Sequence, residues 1–298
     1  MWYNQLFFFD IDVVLFHLFI GFIIYLNVLV LGISYLRFFK EDLNPVLIYP
    51  SGLFIFCLLS LISWKLDINL LIFFSISIFL LLINLKFLLK YYYNIFDTIF
   101  LFVLVSFLAI INSTTLHDPD SQNNIHAFGD TYFYIAGIYS DLSFYQFKDL
   151  TIYGLNHDLK QQAGVLLAYP FKNFDHFRPI LNFSISLWIL SLMFVADVIR
   201  KNIKIYFVSF QTLFFTALIY FSFRTNFYLD ESLPTILTMP LIFLLSFFLF
   251  ENFKKEKIIF EIFLIIITII LCLLTKQVLL LVALPIIFFR GIMSKEKK

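Results

Sequence analysis

Long apolar runs separated by short charged breaks organise this chain. Read between charges, the runs fall at residues 13–36, 46–63, 68–85, 95–111, 180–199, 203–223, 233–250 and 258–274. Each approaches or exceeds the roughly 18 apolar residues that a helix needs to cross a bilayer. None alternates polar and apolar positions as a barrel strand would. A ninth run, 278–289, is shorter. At about 1.5 Å per residue it reaches only about 18 Å, which predicts a tilted partial span or the far arm of a hairpin that dips at Lys276. The pattern predicts an all-α fold, a polytopic transmembrane helix bundle of about eight to nine spans.

Composition agrees with the pattern. Hydrophobic residues make up 61% of the 298 positions and charged residues 14%, with a mean hydropathy of +0.93. Soluble domains carry roughly 25% charge, so the chain reads as an integral membrane protein with the lipid bilayer as its main surroundings and no nucleic acid among its partners. The first residues lack a basic region and the first apolar run is too long for a cleaved signal, so that run is expected to stay as an anchor. Cys57 and Cys272 lie inside apolar runs and read as buried small hydrophobes.

One stretch departs from the apolar background. Residues 113–176 hold seven aspartates and four of the five histidines. Candidate chemistry is therefore confined to one large loop. Positive residues assign that loop a side. With the N-terminus outside, the inner face carries Arg37, Lys40, Lys86, Lys90, Arg200, Lys201, Lys204, Lys254, Lys255, Lys257, Arg290, Lys295, Lys297 and Lys298, fourteen of the 21 basic residues. That bias follows the positive-inside rule. It leaves the loop, the N-terminus and the turns at Lys65, Arg224–Glu231 and Lys276 extracytoplasmic, and the C-terminus cytoplasmic. The expected location is a bacterial inner membrane.

Within the loop, Asp130 precedes Thr131, Tyr132, Phe133, Tyr134 and an apolar stretch through Tyr139. This spacing predicts a helix capped by Asp130 and lying at the membrane surface, since tyrosines favour the headgroup level. Asp130 then faces water and lipid headgroups together. It reads either as a cap alone or as a cap that also does chemistry.

From these residues the chain resembles the GT-C superfamily of polytopic glycosyltransferases, which includes protein O-mannosyltransferases and aminoarabinose lipid A transferases. Asp130, Thr131, Tyr132 and Ala136 are similar to the acidic opening of that family's first outer loop. Arg224–Thr235, with Asn226, Tyr228, Glu231 and Ser232, is similar to its later acidic turn. Leu273, Leu274, Thr275 and Lys276, ahead of an apolar run near Pro285, are similar to its Leu-Thr-Lys turn. The resemblance covers residues 95–289, so it implies two parts: N-terminal transmembrane helices over 1–94, and a GT-C-like module over 95–298 that includes loop 113–176. Thr131 departs from the acid often found after the first Asp, and the helices of 1–94 are extra. The family also continues past the lysine turn, whereas this chain ends at Lys298, as a fragment or a reduced member would.

The resemblance implies transfer of a sugar from a polyprenyl-phosphate donor to an acceptor lipid, glycan or protein on the outer side. Asp130 would be the catalytic base, because an acceptor hydroxyl needs a carboxylate in reach to take its proton. Lys276, Arg224 and Arg178 would hold the donor phosphate, and Glu231 and Tyr132 would orient the acceptor. Read without the resemblance, Lys276 is a snorkelling anchor at a helix end. No cofactor is assigned from this chemistry. His117, Asp118, Asp120 and His126 nonetheless bring nitrogen and oxygen ligands together over ten residues and form an alternative divalent-cation site of no standard spacing. Two other function classes stand beside the transferase: a non-catalytic accessory subunit, and a transporter with an acidic outer vestibule. Against the transporter, His17, Asp97 and Asp197 fall toward run ends and leave the span centres bare.

Overall fold

The structure, a computed structural model, describes residues 11–66, 68, 70–91, 95–115, 151–152, 155–156, 163–171, 183–202, 237–251 and 257–296. The described chain is helical apart from one small hairpin. In order, the elements are α1 (Ile11–Phe38), α2 (Pro45–Lys65), α3 (Leu70–Tyr91), α4 (Ile95–Thr115), β1 (Thr151–Ile152), β2 (Leu155–Asn156), α5 (Ala163–Ala168) with a 3₁₀ turn at Tyr169–Phe171, α6 (Phe183–Asn202), α7 (Thr238–Phe250), α8 (Ile258–Thr275), a 3₁₀ turn at Gln277–Leu279, and α9 (Leu280–Glu296). β1 and β2 pair antiparallel, with Thr151 opposite Asn156. The run at 203–223 and the surface helix expected after Asp130 lie outside the described residues.

Among the described residues three helices are long and apolar enough to cross a membrane: Val14–Phe38, Pro45–Lys65 and Ile258–Thr275. Shorter apolar helices occupy Phe74–Leu89, Leu101–Ile110, Ile185–Ile199, Pro240–Phe250 and Gln277–Ile292. The ninth run differs from expectation. It continues beyond residue 289 to Glu296 as a 17-residue helix, with Arg290 turned inward to partners on α7 and α8.

Local chemistry sets the helix ends. α2 begins at Asn44, whose side chain accepts from the Val46 amide at 3.1 Å, with Pro45 in the first turn where its missing N–H costs nothing. α1 closes through Lys40, the one described non-glycine residue with positive φ, at 55°.

α1 and α2 form the centre and run antiparallel. A Cβ on Gly32 would overlap the Ile48 carbonyl, and one on Gly52 would overlap the Val28 carbonyl. Two glycines, one per helix, therefore let the backbones touch, as small residues do where lipid supplies no hydrophobic force between helices. α6 lies along α1, with the Ser186 hydroxyl donating to the His17 carbonyl at 2.7 Å. α4 covers α6, α3 flanks α1, and α7 and α8 pack on α2. The buried core is continuous from Ile24 and Val28 of α1 through Phe56 of α2 and Phe194 of α6 to Leu244 of α7 and Leu264 of α8. α3, α8 and α9 turn large side chains outward, among them Phe79, Leu82, Phe263, Leu281 and Phe288, as lipid-facing helices do.

Candidate functional site at the Lys276 end

The bundle has two chemically different ends. At one, the α1–α2 turn is held from both sides. Lys257 pairs with Glu41 at 2.7 Å and donates to the Lys40 carbonyl at 3.2 Å, while Lys201 donates to the Leu43 carbonyl. Partial burial lowers the Lys201 pKa from its ordinary value, and Asp42 opposes that shift. Arg290 lies at the same end. Its guanidinium joins three helices: it donates to Glu261 of α8 at 2.8 and 3.0 Å, to the Phe248 carbonyl of α7 at 3.3 Å and to the Glu251 carbonyl just beyond α7 at 2.9 Å. It also sits over the Phe248 ring, 4.9 Å from the centroid. These carbonyls end α7 and have no helical N–H to meet, so a cation there satisfies them and opposes the helix dipole.

The other end is built around Lys276. α8 runs away from Lys257 for about 27 Å, given its 18 residues. Thr275 returns its hydroxyl to the Leu271 carbonyl at 2.7 Å and is buried. The chain then breaks: Lys276 takes extended dihedrals of φ −143° and ψ 110°. Its carbonyl accepts from the Leu279 amide at 3.0 Å as the next helix starts. The Leu-Thr-Lys sequence thus has a local meaning. Leu274 packs on the core, Thr275 bonds back into the last turn, and Lys276 is half-buried at the turn itself. The start of α9 beside it also carries a positive helix-dipole end, so cation and dipole there both favour an anion.

The apolar segment near the end of the long loop packs at this same end. α5 rests on α2 and α8. Tyr169 stacks on Trp64, near the end of α2, with centroids 5.6 Å apart, and Phe171 meets Phe74 of α3 at 5.7 Å. Leu167, Ala168, Tyr169 and Phe171 are all buried. α5 was not expected from the sequence. Its signal is the unbroken apolar run from Ala163 to Phe171 inside an otherwise polar loop.

Of the residues given a catalytic, phosphate-binding, orienting or metal-ligating role from sequence, Lys276 alone is described. Asp130, Tyr132, Arg178, Arg224 and Glu231 lie outside the described residues, as do His117, Asp118, Asp120 and His126. Among the described residues no three His, Cys, Asp or Glu side chains gather as a metal site would. Cys57 and Cys272 are buried free thiols.

Sequence reasoning missed a buried polar centre. Asp197 of α6 is 2% exposed. Its Oδ2 accepts the Tyr25 hydroxyl at 2.6 Å and the Tyr49 hydroxyl as well. The two tyrosine rings stack 5.7 Å apart. Asp197 stands little more than a turn from the end of α6, which is why it read as a span-end residue, yet α1 and α2 enclose it. A second polar link joins α1 to α3: Arg37 donates to Asn84 at 2.7 Å, and Asn84 donates to Ser34 at 2.8 Å.

The Lys276 tip lies at the opposite end from Lys40, Lys201, Lys257 and Arg290, the same partition that the positive residues give in the sequence. No protein-family model, curated protein or solved structure matches the chain.

Proposed function

We propose that the chain is a membrane glycosyltransferase that moves a sugar from a polyprenyl-phosphate-linked donor to an acceptor lipid, glycan or protein on the extracytoplasmic side, in a bacterial inner membrane. The observation that supports this most directly is the place of Lys276: a cation in extended backbone at the turn between two apolar helices, at the bundle end where the last part of the polar loop is seated. A lipid-borne phosphate at the membrane surface would meet a cation set in that way.

In the proposed step, Asp130 takes the proton of the acceptor hydroxyl as its oxygen bonds to the anomeric carbon. The bond from that carbon to the phosphate oxygen breaks, with inversion, and polyprenyl phosphate leaves as the anion. Lys276 balances the departing charge together with Arg224 and Arg178, and Glu231 and Tyr132 orient the acceptor.

A cation-moving reading has one observation in its favour, the buried carboxylate of Asp197, since ionisable groups inside membranes mark ion paths. Its Oδ2 is engaged by two tyrosines from two helices, however, and this geometry is that of a clamp between packed helices. The transferase reading is therefore preferred.

The test is transfer of radiolabelled sugar from a panel of polyprenyl-phosphate sugars in proteoliposomes, with Asp130→Asn compared to the parent chain. Transfer lost on that change while donor binding persists supports Asp130 as the base. Folded protein that uses no donor would sink the proposal in favour of an accessory subunit.

A further inference from the structure

Glu261 and Arg290 stand almost equally far along the chain from Lys276, Glu261 before it and Arg290 after it, and they meet in a two-oxygen pair at 2.8 and 3.0 Å. α8 and α9 are therefore the two arms of an antiparallel hairpin with Lys276 at its tip. The pair closes the open end of that hairpin, about 20 Å from the tip at 1.5 Å per residue. Both side chains are 3% exposed.

From this geometry we infer that Arg290 and Glu261 are positioning residues for Lys276: they set the height and direction at which the hairpin presents its lysine to a lipid-borne phosphate. This rests on the function proposed above and deepens it. Two features make the device specific. The guanidinium also holds the Phe248 and Glu251 carbonyls, so α9 is fixed against α7 as well as α8. Lys276 itself is set in extended backbone between two helices, where its course depends on how the arms align. Both arms are continuous helices from the pair to the turn, so a change in how far α9 lies along α8 at the pair is also a change at the turn. Arg290→Lys leaves one compact ammonium, which cannot reach Glu261 and the α7 carbonyls together as a planar guanidinium does.

The experiment measures binding of radiolabelled polyprenyl phosphate, the carrier alone, to the full chain in nanodiscs. Lys276→Ala weakens binding about tenfold, the worth of one charge-assisted contact. Arg290→Gln and Glu261→Gln weaken it by a similar factor, and Arg290→Lys falls between these and the parent. The deciding sample is Lys276→Ala with Arg290→Gln, which binds no more weakly than Lys276→Ala alone, because Arg290 acts through the lysine. A role in general stability would instead multiply the two losses, and that result overturns the inference, as does folded Arg290→Gln with unchanged binding. If Arg290→Gln does not fold, Glu261→Gln, of nearly the same shape, takes its place in the double variant. Unchanged binding in Lys276→Ala would remove the functional reading of the lysine itself, and the inference with it.

Discussion

Tyr25 and Asp197, 172 residues apart in the chain, are joined by a 2.6 Å hydrogen bond through the core, and the oxygen that accepts it also takes the Tyr49 hydroxyl. One carboxylate thereby fastens α1 and α2 to α6. Replacing it leaves two buried phenols without an acceptor. Asp197→Ala is expected to cost about 3 kcal/mol, read as a lowered thermal midpoint in detergent. The combination Asp197→Leu, Tyr25→Phe and Tyr49→Phe recovers much of that loss, because an apolar centre of similar volume leaves no polar group stranded. A triple variant as weak as Asp197→Ala would show that packing, and not hydrogen bonding, sets the cost.

The glycine contacts of the central pair make a sharper demand. A side chain at Gly32 or Gly52 meets a backbone carbonyl that cannot swing aside. Gly32→Val and Gly52→Val are each expected to abolish well-folded protein, seen as aggregation on size-exclusion chromatography. Gly291, where a Cβ meets nothing within 4 Å, is the control: Gly291→Ala elutes as the parent does.

Trp64 supplies the stacking partner that seats Tyr169 on the end of α2. Trp64→Ala should raise deuterium exchange over residues 163–171 while α1 keeps its protection, since the change removes one aromatic pair and leaves the central helices packed. Equal exchange in both proteins would mean that the remaining contacts of α5 suffice to hold it.

The proposed orientation has a direct test. Single cysteines placed at Lys65 and Lys276, in a chain with Cys57 and Cys272 replaced by alanine, are expected to react with a membrane-impermeant maleimide added to intact cells. Cysteines at Lys40 and Lys257 should react only after permeabilisation. The reverse pattern would put the polar loop in the cytoplasm and exclude a lipid-linked donor presented on the outer face.

Helices were legible where hydrophobic runs met clear stops. Asn44 with Pro45, and Thr275 with Lys276, mark boundaries through caps and broken backbone that local sequence carries. The grouping of Lys40, Lys201, Lys257 and Arg290 at the bundle end away from Lys276 was legible for the same reason, because charge at run ends needs no knowledge of packing. The Asp197 centre was not. Tyr25 and Tyr49 look like ordinary aromatic residues of apolar runs, and the fact that two helices meet a third at that carboxylate is a property of packing across the chain. Arg290 likewise reads as the first residue of a basic tail, and only the return of α9 beside α8 gives it Glu261. The proposed chemistry was read from Asp130 and its neighbours as a motif, and among those residues Lys276 is the one given a structural place here.

The shared tyrosine acceptor also bears on how the central pair is completed. Glycines fit α1 and α2 to each other, but the carboxylate that meets Tyr25 and Tyr49 belongs to α6, and the lysine that meets Glu41 stands just ahead of α8. The packing of this central pair is therefore completed by segments that lie more than 140 residues further along the chain.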